Sequence, residues 1–365
     1  MEKNTIIYAR ASGIYNDSRA GKEISALREQ GYSIIVLAWD KDGRAASACK
    51  DLFPDISFRF YTAPVEGGLG IKGIGKLLGF WRFLKKELKR MEPTSLLAVH
   101  ACDLDAGLPL RGLCAKYDIP LIYDIYDYYA DSHSLPSAAL RYLEKQEIRC
   151  INQAHTTIIC TEERRQQISL AKPQRITVLY NSPEVAELPH VPVIYDYAYC
   201  GYLGDGRMVK EILEAYPDNS DLKFFFAGIG PYAQLAQELN AKYENFTFSG
   251  SIPYQKVLET EAQSCILSAI YEPSSRNHRL CAPNKFYESL ALDKPVIVCK
   301  GTGIDRIVEE EQIGRAIDYD VNAFYTALRE LIGKRDNTHT ARKLYESRYR
   351  WRDMATRLCE IYRTL

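Results

Sequence analysis

The stretch CAPNKFYESLALDKPVIV, Cys281 to Val298, sets one acid, Glu288, just after Asn284 and Lys285 on a helix-like segment that ends in a Lys-Pro turn and an apolar β-run. An acid near a helix start can simply complement the helix dipole. Beside a lysine and an asparagine at a helix opening, it can equally serve a nucleotide site. A second stretch, YCGYLGDGRMVKEILEAY, ends a strand at Gly201, makes a Gly-rich turn and brings Arg207 and Lys210 to the opening of a helix. Basic side chains next to helix N–H groups suit a diphosphate.

Other candidates lie in the first half. The loop ARASGIYNDSRAGK, Ala9 to Lys22, is rich in small residues; Gly13 and Gly21 allow close backbone approach, and Arg19 and Lys22 could meet an anion. In HACDLDAGLPL and IYDIYDYYADSH, the acids Asp103, Asp105, Asp124, Asp127 and Asp131 follow strand-like runs. Acids there could orient sugar hydroxyls or assist proton transfer, the role read for Asp127, whereas Asp105 reads as a helix cap. GLGIKG, Gly68 to Gly73, fits a dinucleotide pattern but follows the third strand-like run rather than the first, and reads as a loop. His100 and His133 have no metal-ligand spacing, so no metal site is expected.

Short apolar runs alternating with longer amphipathic stretches must position these residues. Thr5–Ala9, Ser33–Trp39, Ile56–Thr62, Leu96–Ala101, Leu121–Ile125, Thr156–Cys160 and Ile176–Tyr180 form a first series. Tyr197–Tyr202, Leu222–Ala227, Phe246–Ser249, Cys265–Ile270, Pro295–Cys299 and Arg315–Ile317 form a second. Each rhythm is βαβ, predicting a parallel sheet covered by helices. Between them, NSPEVAELPHVPVIYD carries three prolines and reads as a linker. The chain is therefore expected to fold as two doubly wound, Rossmann-like α/β domains facing a cleft: 1–187 on the acceptor side, 188–345 binding the nucleotide, and 346–365 packing back toward the first. Ligands belong at the carboxyl ends of such strands.

Composition excludes other classes. Lys plus Arg equals Asp plus Glu, 47 each, so no global field recruits nucleic acid. Ten cysteines without a CxxC pair point to reduced thiols in a cytoplasmic protein. The N-terminus has no signal-peptide pattern and no window reaches the length of an apolar span, so neither secretion nor membrane crossing is expected. One local imbalance stands out. From Lys72 to Glu92 there are seven basic residues against two acids, and Leu77, Leu78, Phe80, Trp81, Leu84 and Leu88 follow helical spacing. This is either a sheet-covering helix with a solvated basic face or a helix that meets an anionic membrane surface.

Taken together, GYLGDGRMVKEILEAY and PNKFYESLALDKPVIV resemble the retaining nucleotide-sugar glycosyltransferases of family 4, on the GT-B fold. GYSIIVLAWD, HACDLDA, IYDIYD, VLYNSPE and the closing YRWRDMATRLCEIYRTL extend the resemblance over nearly the whole chain. It implies that Glu288 accepts hydrogen bonds from the donor ribose, that Arg207 (with Lys210 nearby) meets the diphosphate, and that Asn284 and Lys285 lie near the phosphates or sugar. Gly228 and Gly230 match a turn that lets backbone approach the nucleotide; Gly250 and Ile252 match the loop flanking the base. Gly13, Arg19, Asp103 and Tyr126 fall on the acceptor or sugar side.

The resemblance has departures: Leu280 stands where a second glutamate is common, Tyr126 where many members have histidine, and Tyr202 where the first diphosphate base would be. The pattern is the PNK-type variant lacking the first glutamate. The expected function is transfer of a hexose from a nucleoside diphosphate sugar, UDP or GDP type, to an acceptor hydroxyl with retention, in cell-surface polysaccharide synthesis. No cofactor beyond the donor substrate is implied. Arg207 and Lys285 would stabilise the leaving diphosphate, and Asp127 would orient hydroxyls. The acceptor would be a glycan or lipid-linked, met by a cytoplasmic protein peripheral to the inner face of the membrane. The rival readings are a GT-B sugar-nucleotide epimerase or hydrolase, and a non-catalytic partner subunit.

Overall fold

A computed structural model describes residues 3–65, 73–132, 135–334 and 339–365. His133 and most of GLGIKG lie outside them. The chain divides into two compact units, Met1–Tyr180 with Asp353–Leu365, and Asn181–Arg352.

Unit 1 contains β1 (Thr5–Arg10), α1 (Ser18–Glu29), β2 (Ser33–Asp40), α2 (Ala45–Leu52), β3 (Ser57–Thr62), α3 (Ile74–Arg90), β4 (Leu96–Cys102), α4 (Asp103–Tyr117), β5 (Leu121–Ile125), α5 (Tyr129–Ser132), α6 (Ser137–Gln153), β6 (Thr156–Ile159) and β7 (Ile176–Val178). Its sheet runs β3-β2-β1-β4-β5-β6-β7, with every strand pair parallel. The central strands are buried on both faces, as parallel sheets require, but the two faces differ. Ile7, Ala9, Val99, Ala101, Tyr123 and Ile125 feed one apolar core. The alternating residues Tyr8, His100, Cys102 and Asp124 are also buried, and they build a polar layer. Register pairs Tyr8 with His100 and Cys102 with Asp124.

Unit 2 contains β8 (Tyr195–Cys200), α7 (Val209–Ala215), β9 (Phe224–Ala227), α8 (Ala233–Lys242), β10 (Phe246–Phe248), α9 (Tyr254–Ala262), β11 (Ser264–Ala269), α10 (Arg276–Arg279), α11 (Asn284–Ala291), β12 (Val296–Cys299), α12 (Ile304–Glu310), β13 (Gly314–Ile317), α13 (Val321–Gly333) and α14 (Thr340–Leu344). The sheet order is β10-β9-β8-β11-β12-β13, again all parallel. Its core is aromatic: Tyr197, Tyr216, Phe224, Phe226, Phe246 and Phe324 stack and meet edge-on. Both sheets reverse strand order beside their first strand, β1/β4 and β8/β11. Such switch points open a crevice at the carboxyl ends of the strands.

The last helix, α15 (Trp351–Arg363), belongs to unit 1 from Asp353 onward. Met354, Leu358, Cys359 and Tyr362 are buried, and the Tyr362 hydroxyl lies 2.6 Å from His100 Nδ1. On α3 the helical spacing resolves into a face: Phe80, Leu84 and Leu88 enter the core, and Phe80 stacks on Trp39 at 5.4 Å. Ile74 and Leu78 stay exposed, as do Lys76, Arg82, Lys85, Lys86, Lys89 and Arg90. No described helix is long and apolar enough to cross a membrane.

Candidate nucleotide-binding site

At the β8/β11 switch point of unit 2, three loops are laced together by backbone. Gly201 N–H donates to Ala227 O, Leu203 N–H to Ile229 O, and Gly228 N–H to Gly250 O, at 2.7–2.8 Å. The lacing explains two glycines. A Cβ on Gly228 would sit 1.7 Å from Gly201 O and one on Gly230 2.3 Å from Leu203 O, and both residues have φ near +150°. In this structure they let backbone approach backbone. Gly250, at φ +61°, closes the same set, and Ile252 packs beside Ala198 and Leu267.

The loop after β11 folds over the Gly-rich turn. Glu272 N–H donates to Gly206 O at 2.9 Å, and the His278 ring sits where a Gly206 side chain would go. Arg207 is thereby set between two aromatic faces, 5.7 Å from the Tyr202 ring centre and 5.1 Å from that of Tyr271, its charge felt by the Tyr199 hydroxyl, which donates to Tyr202 O at 2.9 Å. The Tyr199 hydroxyl also feels Lys285. Lys210 lies apart on the exposed side of α7, 3.8 Å from Glu214.

Glu288 sits on α11, almost fully buried, while Asn284 at the start of that helix is exposed. Asn181 Nδ2 donates to Ala282 O at 2.9 Å and pins the turn before it. Lys285 reaches inward: its Nζ lies 2.7 Å from Glu288 Oε2 and 2.6 Å from Glu261 Oε1. The Tyr254 hydroxyl lies close enough to feel the Glu288 charge, and Glu288 Oε1 is left without a hydrogen-bond partner. Burial pushes the Glu261 carboxyl up, against the pull of Lys285. Leu280, where a second glutamate was looked for, lies just beyond α10.

Tyr199, Tyr254, Glu261, Tyr271 and His278 were not singled out from sequence. Glu261 had a signal, since it falls on the stripe of α9 shared by Leu258 and Ala262, where an acid is out of place.

Unit 1 gathers a different set at its own switch point. Asp103, with φ +58°, accepts from the Tyr126 N–H at 2.8 Å, the Asp127 N–H at 3.2 Å, and Arg10. Burial lifts its carboxyl to about 6 while Arg10 pulls it down. The Tyr126 ring is held between Arg10 at 3.9 Å and Arg19 at 4.4 Å. Arg164 donates to Tyr126 O at 2.6 Å and pairs with Asp127, whose side chain is 57% exposed. Gly13 packs its Cα against the Tyr15 ring, and its carbonyl accepts from Cys49 Sγ at 3.2 Å.

Arg19 is buried, and the anions it meets are internal, Glu23 at 2.9 Å and Asp124 at 2.7 Å. Glu23 also accepts from Tyr8 at 2.7 Å. His100 Nε2 completes this layer, 3.4 Å from Asp124 and 3.7 Å from Glu23. His100, Cys102 and Asp124 bring ligand-type atoms within 4.8 Å of one another, a donor set that suits a borderline-soft divalent ion. Arg19 already occupies the same carboxylate.

Residues 206–334, within unit 2, match the family model of glycosyl transferases group 1. No curated protein matches the chain. Among solved structures, HepE of Anabaena in complex with UDP has a TM-score of 0.68 at 14% identity, covering 99% of this chain and 100% of its own. Sucrose-phosphate synthase from Thermosynechococcus elongatus gives 0.70 at 15% identity, covering 99% and 98%. A TarM variant of S. aureus, in complex with fondaparinux, α-GlcNAc-glycerol and UDP, gives 0.65 at 11%, covering 98% and 99%. The chain has the GT-B fold.

Proposed function

We propose that this chain is a glycosyltransferase of the retaining, family 4 type, moving a hexose from a UDP or GDP sugar to an acceptor hydroxyl. The observation that carries the reading is that Arg207 and the buried Lys285–Glu288 pair gather about Tyr199 near the carboxyl end of β8, inside the span that matches glycosyl transferases group 1. Neighbours crystallised with UDP add support.

Glu288 Oε1 supplies an acceptor for ribose hydroxyls, and a charged acceptor makes the stronger bond. Arg207 meets the diphosphate. Its charge counts most as the glycosidic bond breaks and negative charge grows on the leaving phosphate. Lys285 serves this site from beneath, by holding Glu288 Oε2 in an ion pair. The leaving phosphate takes the acceptor proton, and Asp127 orients acceptor hydroxyls.

The acceptor in this reading is lipid-linked, and the product a cell-surface glycan made at the cytoplasmic face. The exposed face of α3 supports it: Ile74 and Leu78 stand clear near one end, with Arg82, Lys85, Lys86 and Lys89 beyond. Each such charge near anionic lipid contributes about 1 kcal/mol. Phe80, buried in the core, takes no part.

The test is incubation with a panel of UDP and GDP sugars and lipid-linked acceptors, with product anomers read by NMR. Transfer with retained configuration is expected. Hydrolysis or epimerisation without an acceptor would favour the rival enzyme reading, and no turnover with any donor the non-catalytic one. Sedimentation with anionic liposomes at low salt, lost when Lys85, Lys86 and Lys89 become glutamate, tests the membrane part.

A further inference from the structure

Two buried carboxylates on different helices share one lysine. Glu261 on α9 and Glu288 on α11 are both almost wholly enclosed, and Lys285 Nζ lies 2.6 Å from one and 2.7 Å from the other. A single ammonium offsets a single carboxylate; a second uncompensated charge in the interior costs far more than taking up a proton. The surroundings decide which acid takes it. Glu288 Oε2 receives a well-directed hydrogen bond from Lys285 at 2.7 Å. Neither oxygen of Glu261 receives one, since Lys285 approaches it at a poor angle.

The other titratable groups against the trio offer no second cation. They are the Cys200 thiol on β8, the Tyr254 hydroxyl on α9 and the Tyr199 hydroxyl on β8. Arg207 is engaged with the Tyr202 and Tyr271 rings.

We infer that Glu261 is a positioning residue: held neutral by its proton, it anchors Lys285 beneath Glu288, so that the Lys285–Glu288 ion pair is kept and Oε1 is left over as the ribose acceptor. This rests on the assignment of the nucleoside diphosphate to the β8/β11 site. Ionising Glu261 would draw Lys285 away from Glu288 and add a negative charge beneath an anionic ligand. Burial, opposed by Lys285 and reinforced by Glu288, pushes the Glu261 carboxyl to about 8, so the change falls within an accessible range. The sign follows. The bound state favours protonated Glu261, so affinity is fully present below that value and declines as pH rises through it.

The test is calorimetric titration of the full chain with UDP and with GDP between roughly pH 7 and 9, where the phosphates of the ligand are already ionised. Wild type should weaken at least severalfold across the range. Glu261→Gln, which copies the neutral acid, should bind as wild type does near pH 7 and hold that affinity at pH 9. Glu288→Gln should bind weakly at every pH. A Glu261→Gln profile that falls in parallel with wild type, while Glu288→Gln stays weak, overturns the role of Glu261 alone. Normal binding by Glu288→Gln overturns the underlying site assignment. A second readout needs no variant: at pH 8, wild type should take up protons on binding, seen as an enthalpy that changes with the ionisation enthalpy of the buffer. Buffer-independent enthalpy there also overturns the proposal.

Discussion

Each unit buries two carboxylates beside its strand-order reversal, and the units neutralise them differently. In unit 1, Glu23 and Asp124 face two basic groups, Arg19 and His100, and Glu23 takes a further hydrogen bond from Tyr8. In unit 2, Glu261 and Glu288 face one, Lys285, and an oxygen of Glu288 is left over. Both oxygens of Glu261 are left over as well, as are Asp124 Oδ2 and His100 Nε2 in unit 1, and such buried polar atoms are costly. The layer in unit 1, with two basic groups for its two acids, holds the sheet to α1 and, through His100 and Tyr362, to α15. In the reading proposed above, the unit 1 layer serves stability and the unit 2 trio serves nucleotide recognition.

The comparison breaks most visibly if Arg19 is removed. Arg19→Met should leave two buried acids without their main partner and destabilise the chain by about 3–5 kcal/mol, measured by urea unfolding. A loss below about 1 kcal/mol would show that the unit 1 layer is not a structural ion cluster.

A smaller, pH-dependent effect comes from another buried acid of unit 1, Glu147, which burial pushes to about 8 although the Tyr129 N–H and Tyr123 hydroxyl pull it down. The folded chain keeps a proton that the unfolded chain releases near the ordinary glutamate value, so stability should fall as pH rises from about 4.5 to 8. The expected size is of the order of a few kcal/mol. Glu147→Gln should flatten that slope. An unchanged slope would mean that Glu147 ionises normally in the native state.

The smallest effects separate neighbours in the nucleotide site. Arg207→Ala should weaken nucleoside diphosphate binding by about 1.5–3 kcal/mol, the range of a hydrogen bond to a charged group, and reduce turnover at least as much. Lys210→Ala removes only an exposed contact with Glu214 and should cost no more than about 0.5 kcal/mol in either affinity or stability. Equal losses would extend the diphosphate site along α7.

Much of the fold was legible because apolar runs bounded by turn residues have little choice but to become strands; all thirteen such runs did, though the edge strand β3 has no fully buried residue. Their edges were less so. β8 was expected at Tyr197–Tyr202 and spans Tyr195–Cys200, because the Tyr195 N–H already bonds Gln263 O and the chain turns at Gly201. On α3 the helical period was readable, but only packing decides that Phe80 faces the core and Leu78 does not.

The site was legible where charge sits next to a helix opening, as at Arg207, Lys285 and Glu288. It was not legible where partners come from afar. Glu261 belongs to another helix, and Arg19, read as an anion contact in a loop, finds its carboxylate 105 residues away in Asp124. Glycine was readable as a requirement at 228 and 230, but not the cause, since the close approach is to the backbone of Gly201 and Leu203.

The most direct measurement is the affinity of UDP and GDP for wild type and for Glu288→Gln at a single pH near 7, with melting temperatures recorded alongside. The account predicts that wild type binds at least one of the two nucleotides, and that Glu288→Gln, melting as wild type does, binds it roughly tenfold more weakly or worse, about 1.5–3 kcal/mol. Equal affinity in a variant of unchanged stability would contradict it, and Glu288 would then be a buried partner of Lys285 and nothing more.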